Sequence, residues 1–92
     1  MINSDQWDNI HHLIQTIRTL INQILDRDKK PLISIFGIHY QIQNCYWISN
    51  DITLVMKRVD TNENRFFPCS LSGTQQVIQL LEVILADLSE SK

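Results

Sequence analysis

The sequence predicts one α+β domain over residues 1–92, with a long first helix, a short antiparallel meander of three or four strands and a last helix (α-β-β-β-α). Three observations support this order. Apolar residues recur at helical spacing near the N-terminus, alternate with polar ones in the middle, and dominate a run that follows a capping sequence near the C-terminus. We expect both helices on one face of the sheet.

The first helix is predicted by an apolar stripe in strict 3-4-3-4-3 spacing. The stripe consists of Trp7, Ile10, Ile14, Ile17, Ile21 and Ile24. Asn3 or Ser4 can cap its start, and Pro31 forces the chain out of helical geometry before it. A helix of roughly 24 residues is about 36 Å long. We therefore expect it to overhang a small globule.

The strands are predicted by alternating patterns between residues 32 and 69, separated by the polar turns 49–51 and 60–64. Gly37 is interpreted as a bulge and Asn44 as a turn. Pro68 cannot donate a backbone hydrogen bond, so the last strand is expected at an edge of the sheet. Short polar connections between consecutive strands indicate an antiparallel meander.

The last helix is predicted to begin at Ser72, with Gln75 completing a capping box. From Val77 to Leu88 its sequence is apolar around most of the circumference. A helix of this kind is normally covered on more than one side.

Composition excludes several classes of protein. The chain is 43% hydrophobic with a net charge of −2, which indicates a folded domain without a strong field for nucleic acid or anionic membranes. No apolar run approaches the ~18 residues of a transmembrane helix, and we expect no secretion signal before the domain. Two cysteines form no disulfide framework, so we expect a cytoplasmic protein with free thiols and no contact with membranes.

Catalytic and metal-binding patterns are weak in this sequence. His11 and His12 are adjacent on a helix and cannot chelate one ion together. His39 with Cys45 or Cys69 is the least favoured alternative, an enzyme or zinc site without supporting spacing. We therefore predict a non-enzymatic protein without a cofactor or metal.

Nucleic-acid binding is the competing hypothesis. Lys57, Arg58 and Arg65 fall on neighbouring predicted strands close to aromatic residues. Bases that stack on strand aromatics beside cations are a known mode of RNA recognition. A steep dependence of binding on salt would distinguish this mode from apolar contacts.

A surplus of apolar residues favours binding to protein. Two helices cover only one face of a small sheet, so we place Trp47, Tyr46, Val55 and Phe67 on an open face that contacts a partner. The helices carry more apolar surface than a short chain can bury, which predicts a two-fold homodimer. The expected dimer contacts are Ile14, Ile17, Ile21, Leu81, Ile84 and Leu88. The predicted function is a small interaction module: an adaptor, a dedicated chaperone or an inhibitor or regulator.

Overall fold

The chain folds as a helix, four antiparallel strands and a second helix. A computed structural model describes residues 4–49 and 51–90, and the side chains of residues 6–49 and 51–88. The elements are α1 (Ser4–Leu25), β1 (Leu32–Ile35), β2 (Ile38–Ile48), β3 (Asp51–Arg58), β4 (Asn64–Cys69) and α2 (Leu71–Glu90). The α+β class is confirmed, and the sheet has four strands, the larger of the two predicted numbers.

Helix α1 buries its whole apolar stripe from Ile10 to Ile24. It ends in a Schellman motif: the Lys29 N–H donates to Ile24 O and the Asp28 N–H to Leu25 O, with Asp28 in the left-handed region (φ 56°). The predicted cap residue Asn3 and the side chain of Ser4 lie outside the described residues. The expectation that α1 overhangs the globule is wrong for its apolar stripe, because every stripe residue from Ile10 to Ile24 is buried.

The sheet is a meander in the order β1-β2-β3-β4. Ile35 pairs with Ile38, so Phe36 (φ 50°) and Gly37 (φ 78°) form the two-residue turn of the first hairpin. Gly37 is therefore a turn residue and not the predicted bulge. Phe36 occupies a position that favours asparagine or glycine, and its side chain is fully exposed.

The bulge lies in β2, where the pairing with β3 shifts between Ile42 and Asn44. Asn44 is thus part of a strand rather than the predicted turn. One inserted residue reverses the alternation of the strand. Tyr40 and Ile42 face the helices before the bulge, and Cys45 and Trp47 face them after it.

The start of α2 differs by two residues from the prediction. Ser70, not Ser72, is the N-cap, because the Gly73 N–H donates to Ser70 Oγ at 3.0 Å. Thr74 is fully buried and donates through Oγ1 to Ser70 O at 2.8 Å. These bonds fix the corner between β4 and α2.

Both helices and one face of the sheet form a continuous core, as expected. Leu81 of α2 and Ile17 of α1 are completely buried together with Ile42, Ile52, Leu54 and Met56 of the sheet. Among the described residues, neither helix combines the length and the hydropathy of a membrane-spanning segment.

Candidate protein-interaction surface

The face of the sheet opposite the helices carries an apolar cluster that nothing covers within the described residues. Tyr46 and Pro68 flank Thr53 on its two neighbouring strands, and Phe66 pairs directly with Val55. Ile48 extends the cluster along β2. Phe66 is 63% exposed and Tyr46 is 41% exposed. We call Tyr46, Ile48, Val55, Phe66 and Pro68 the open-face patch.

Two of the four predicted partner-contact residues belong to this patch. Tyr46 and Val55 lie on the open face, as predicted, whereas Trp47 and Phe67 do not. Trp47 makes an edge-to-face contact with Trp7 of α1, with ring centroids 5.4 Å apart. Phe67 contacts Tyr40 in the same manner at 5.2 Å. The bulge in β2 places Trp47 on the helix side, and strand alternation places Phe66 rather than Phe67 on the open face.

A signal for this assignment was present in the sequence. Cys45 shares a strand face with Trp47, and Cys69 shares one with Phe67. Free cysteines are among the most buried residue types. A buried cysteine therefore indicates that the residue two positions away, which shares its strand face, also points into the core.

The free edge of β2 is closed by side chains. Beyond its pairing with β1, the Cys45 carbonyl accepts a hydrogen bond from Arg18 Nε at 2.9 Å, and the Cys45 N–H donates to Asn44 Oδ1 at 2.8 Å. The Arg18 guanidinium lies 5.1 Å from the centre of the Tyr46 ring, and Asn44 Nδ2 donates to Tyr46 Oη. Tyr46 is thereby held in place at the border of the open-face patch.

The outer edge of β4 is closed by proline. The Arg58 N–H donates to Glu63 O, so Glu63 directs its backbone groups toward β3. Residues of an antiparallel strand direct their N–H and C=O groups alternately toward and away from the neighbouring strand, so the backbone groups of Phe66 and Pro68 point away from β3. Pro68 therefore sits at an edge, as predicted, and offers no N–H there. β1, at the other edge of the sheet, is only four residues long, so it exposes little unpaired backbone.

Two lysines converge on the open face next to the patch. Lys30 and Lys57 line a hollow of about 200 Å³ together with Leu32, Gln41, Val59 and Asn62. We call it the lysine hollow. No acidic residue lines it, and neither lysine forms an ion pair with another described residue.

The three cations of the nucleic-acid hypothesis are not brought together. Arg58 forms an ion pair with Asp60, Nε to Oδ1 at 2.6 Å, and this hydrogen bond lowers the pKa of the Asp60 carboxyl. Arg65 pairs with Glu63 at 2.9 Å. Strand alternation directs Lys57 to the open face and the two arginines away from it.

The predicted dimer contacts are mostly core residues. Ile14, Ile17, Ile21 and Leu81 are buried within one chain, so they are not accessible to a second copy of the folded domain. Ile84 and Leu88 are partly buried against the core. The exposed apolar residues of α2 are instead Leu71, Leu80 and Val83.

The histidine and cysteines of the enzyme alternative are also separated. His39 lies on the open face, while Cys45 is completely buried on the other side of the sheet. Burial raises the pKa of the Cys45 thiol to about 11, although the nearby Arg18 guanidinium opposes this shift. Burial also raises the pKa of Cys69. Neither thiol is activated as a nucleophile, and the described residues contain no cluster suited to a metal ion.

A second concavity lies at the opposite end of the sheet from the first hairpin turn. This apolar cleft of about 260 Å³ runs between the start of α1, the β2–β3 connection and the start of α2. Ile10, Trp47, Ile52 and Leu71 form its apolar lining. Its walls come from α1, the adjoining ends of β2 and β3, and the corner between β4 and α2, so spacing along the chain does not predict it.

Comparison with protein-family models, with curated proteins and with solved structures finds no match to this chain.

Proposed function

We propose that this domain is a non-enzymatic module that binds another protein through the open face of its sheet. The observation that carries this proposal is the open-face patch, in which Phe66 and Tyr46 expose aromatic surface beside Val55 on one face of the sheet. Contiguous exposed apolar surface with a polar rim is characteristic of interaction sites, and aromatic residues supply most of their binding energy. Such a module would act as an adaptor, a dedicated chaperone or a regulator.

The closed edges define the manner of binding. Arg18 and Asn44 occupy the free edge of β2, and Pro68 interrupts the donors of β4. A partner that added a strand to the sheet would have to displace these groups. The proposal is therefore that the partner lies across the face and makes side-chain contacts with the patch.

Affinity capture with point variants tests the proposal. The domain is immobilised and exposed to an extract of its source cells, and retained proteins are quantified for the wild type, Phe66→Ala and Phe36→Ala. Both substitutions remove an exposed phenylalanine, but Phe36 lies at a hairpin turn outside the patch. We expect a protein retained by the wild type and by Phe36→Ala to be depleted about tenfold or more with Phe66→Ala. Equal retention by the two variants would contradict the proposal.

Self-association remains a second hypothesis, now placed on different residues. Leu80 and Val83 are 49% and 58% exposed on one strip of α2, next to the partly buried Ile84. Two copies could pair through this strip around a two-fold axis without covering the open face. Sedimentation over a range of concentrations would detect such a dimer.

A further inference from the structure

The open face differs in charge from the helical side of the domain. Lys30 and Lys57 line the lysine hollow without an acidic neighbour, and Arg18 lies at the border of the open-face patch. Helix α2, in contrast, has no lysine or arginine and exposes Glu82 and Asp87. Positive charge thus flanks the patch at the lysine hollow and at Arg18, while Asp51, the cross-strand neighbour of Ile48, lies at the opposite end of the patch from the lysine hollow.

The apolar and cationic groups lie within reach of one short segment. Lys57 follows Val55 by two residues on the same face of β3, a separation of about 6.6 Å along the strand. Phe66 is the direct cross-strand neighbour of Val55. Side chains three or four residues apart on a helix have a comparable spacing of about 5–6 Å. A helix could therefore place apolar side chains on the patch and a carboxylate at Lys57.

The backbone of the partner favours the same conclusion. An extended segment lying flat on the patch would bury peptide groups against apolar side chains without hydrogen-bond partners, because the free edge of β2 and the outer edge of β4 next to the patch are closed. A helix satisfies its own backbone hydrogen bonds and can lay an apolar face on such a surface.

We propose that the open face binds an acidic amphipathic helix of a partner protein, with apolar side chains on Tyr46, Val55 and Phe66 and carboxylates at Lys30 and Lys57. This inference rests on the proposed function and specifies the chemistry of its partner. Single-stranded nucleic acid is the less favoured ligand. Tight binding of nucleic acid draws on many phosphate contacts, and Arg58 and Arg65 are already neutralised by Asp60 and Glu63.

The experiment uses a library of helical peptides in which one face is randomised, selected against the wild-type domain. We expect the selected peptides to contain an excess of aspartate and glutamate beside leucine and aromatic residues. Their affinities are then measured by fluorescence anisotropy for four folded variants. Lys57→Glu reverses a charge in the lysine hollow, and Arg27→Glu makes the same change at a residue that lines a different hollow beside Leu85 of α2. Phe66→Ala and Phe36→Ala form the second matched pair.

The result that supports the inference is a loss of roughly threefold to tenfold with Lys57→Glu that diminishes at high salt, and no change with Arg27→Glu. No enrichment of acidic residues, or equal effects of the two charge reversals, would overturn it. In that case a selective loss with Phe66→Ala would leave the proposed function intact, whereas equal affinities of Phe66→Ala and Phe36→Ala would contradict the function itself. Binding of a single-stranded RNA oligonucleotide more tightly than the peptides, and sensitive to Lys57→Glu, would replace the acidic helix with nucleic acid.

Discussion

Arg18 joins α1 to the free edge of β2, and its removal provides a quantitative test of the structure. The variant Arg18→Met keeps a helix-forming residue and an apolar stem but removes the guanidinium. Two interactions disappear: the 2.9 Å hydrogen bond to the Cys45 carbonyl and the contact with the Tyr46 ring at 5.1 Å. The Cys45 carbonyl then has no side-chain donor.

The expected cost follows from these two contacts. A hydrogen bond to a charged group contributes about 1.5–3 kcal/mol, and a partly exposed cation–π contact about 0.5–1 kcal/mol. Water can reach this partly buried site and replaces part of the hydrogen bond. We therefore expect the free energy of unfolding to fall by about 2 kcal/mol, measured by urea denaturation. An uncovered strand edge should also promote association, which sedimentation at increasing concentration would detect.

Arg27→Met is the matched control, because Arg27 is exposed in the turn after α1. A double-mutant cycle with Tyr46→Leu isolates the ring contact, for which we expect a coupling of about 0.5–1 kcal/mol. If Arg18→Met destabilised the domain by less than about 0.5 kcal/mol more than Arg27→Met, the role of Arg18 as an edge cap would be refuted.

Three further predictions concern other parts of the chain. Replacing Phe36 by asparagine should raise the free energy of unfolding by roughly 0.5–1 kcal/mol. Asparagine tolerates a φ of 50°, and the fully exposed phenyl ring of Phe36 has no packing to lose. A decrease in the free energy of unfolding would show that the ring stabilises the hairpin. The pKa of Cys45 is raised from 9.0 to about 11, so its contribution to stability is complete below pH 9 and is lost as the pH rises through 11. The difference in unfolding free energy between the wild type and Cys45→Ala should therefore shrink by about 1–2 kcal/mol over that interval, and a constant difference would contradict a buried neutral thiol. If α2 mediates self-association, Val83→Glu should abolish the dimer. Added salt should strengthen the wild-type dimer, because it screens the repulsion between Glu82 and Asp87 of the two copies. A molecular mass of the wild type that is independent of concentration would exclude this dimer.

The elements that local sequence determines were predictable. The stripe of α1, the termination before Pro31 and the order of the strands follow from spacing and turn residues alone, and the structure has them. The N-cap of α2 was wrong by two residues, because Ser70 and Ser72 both satisfy the local preference and only the corner with β4 selects Ser70. The burial of Ile17 and Ile21 of α1 within one chain was not predicted, for a similar reason. Whether Ile17 and Ile21 are covered depends on the packing of β2 and α2 against them, which is tertiary information.

The candidate surface was predictable only in part, and a single inserted residue explains why. Strand alternation assigns every side chain of β2 to a face once one is known, but the shift between Ile42 and Asn44 reverses that assignment halfway along the strand. Without the bulge, the residues that follow Tyr40 and Ile42 into the core would be Tyr46 and Ile48, and Trp47 would lie on the open face. With it, Trp47 closes against Trp7, and Tyr46 is left outside where Arg18 and Asn44 hold it. The bulge thus supplies the open-face patch with its first aromatic residue, and Arg18 and Asn44, which hold that residue, also close the free edge of β2. The stability of that edge and the proposed binding surface therefore depend on the same local geometry.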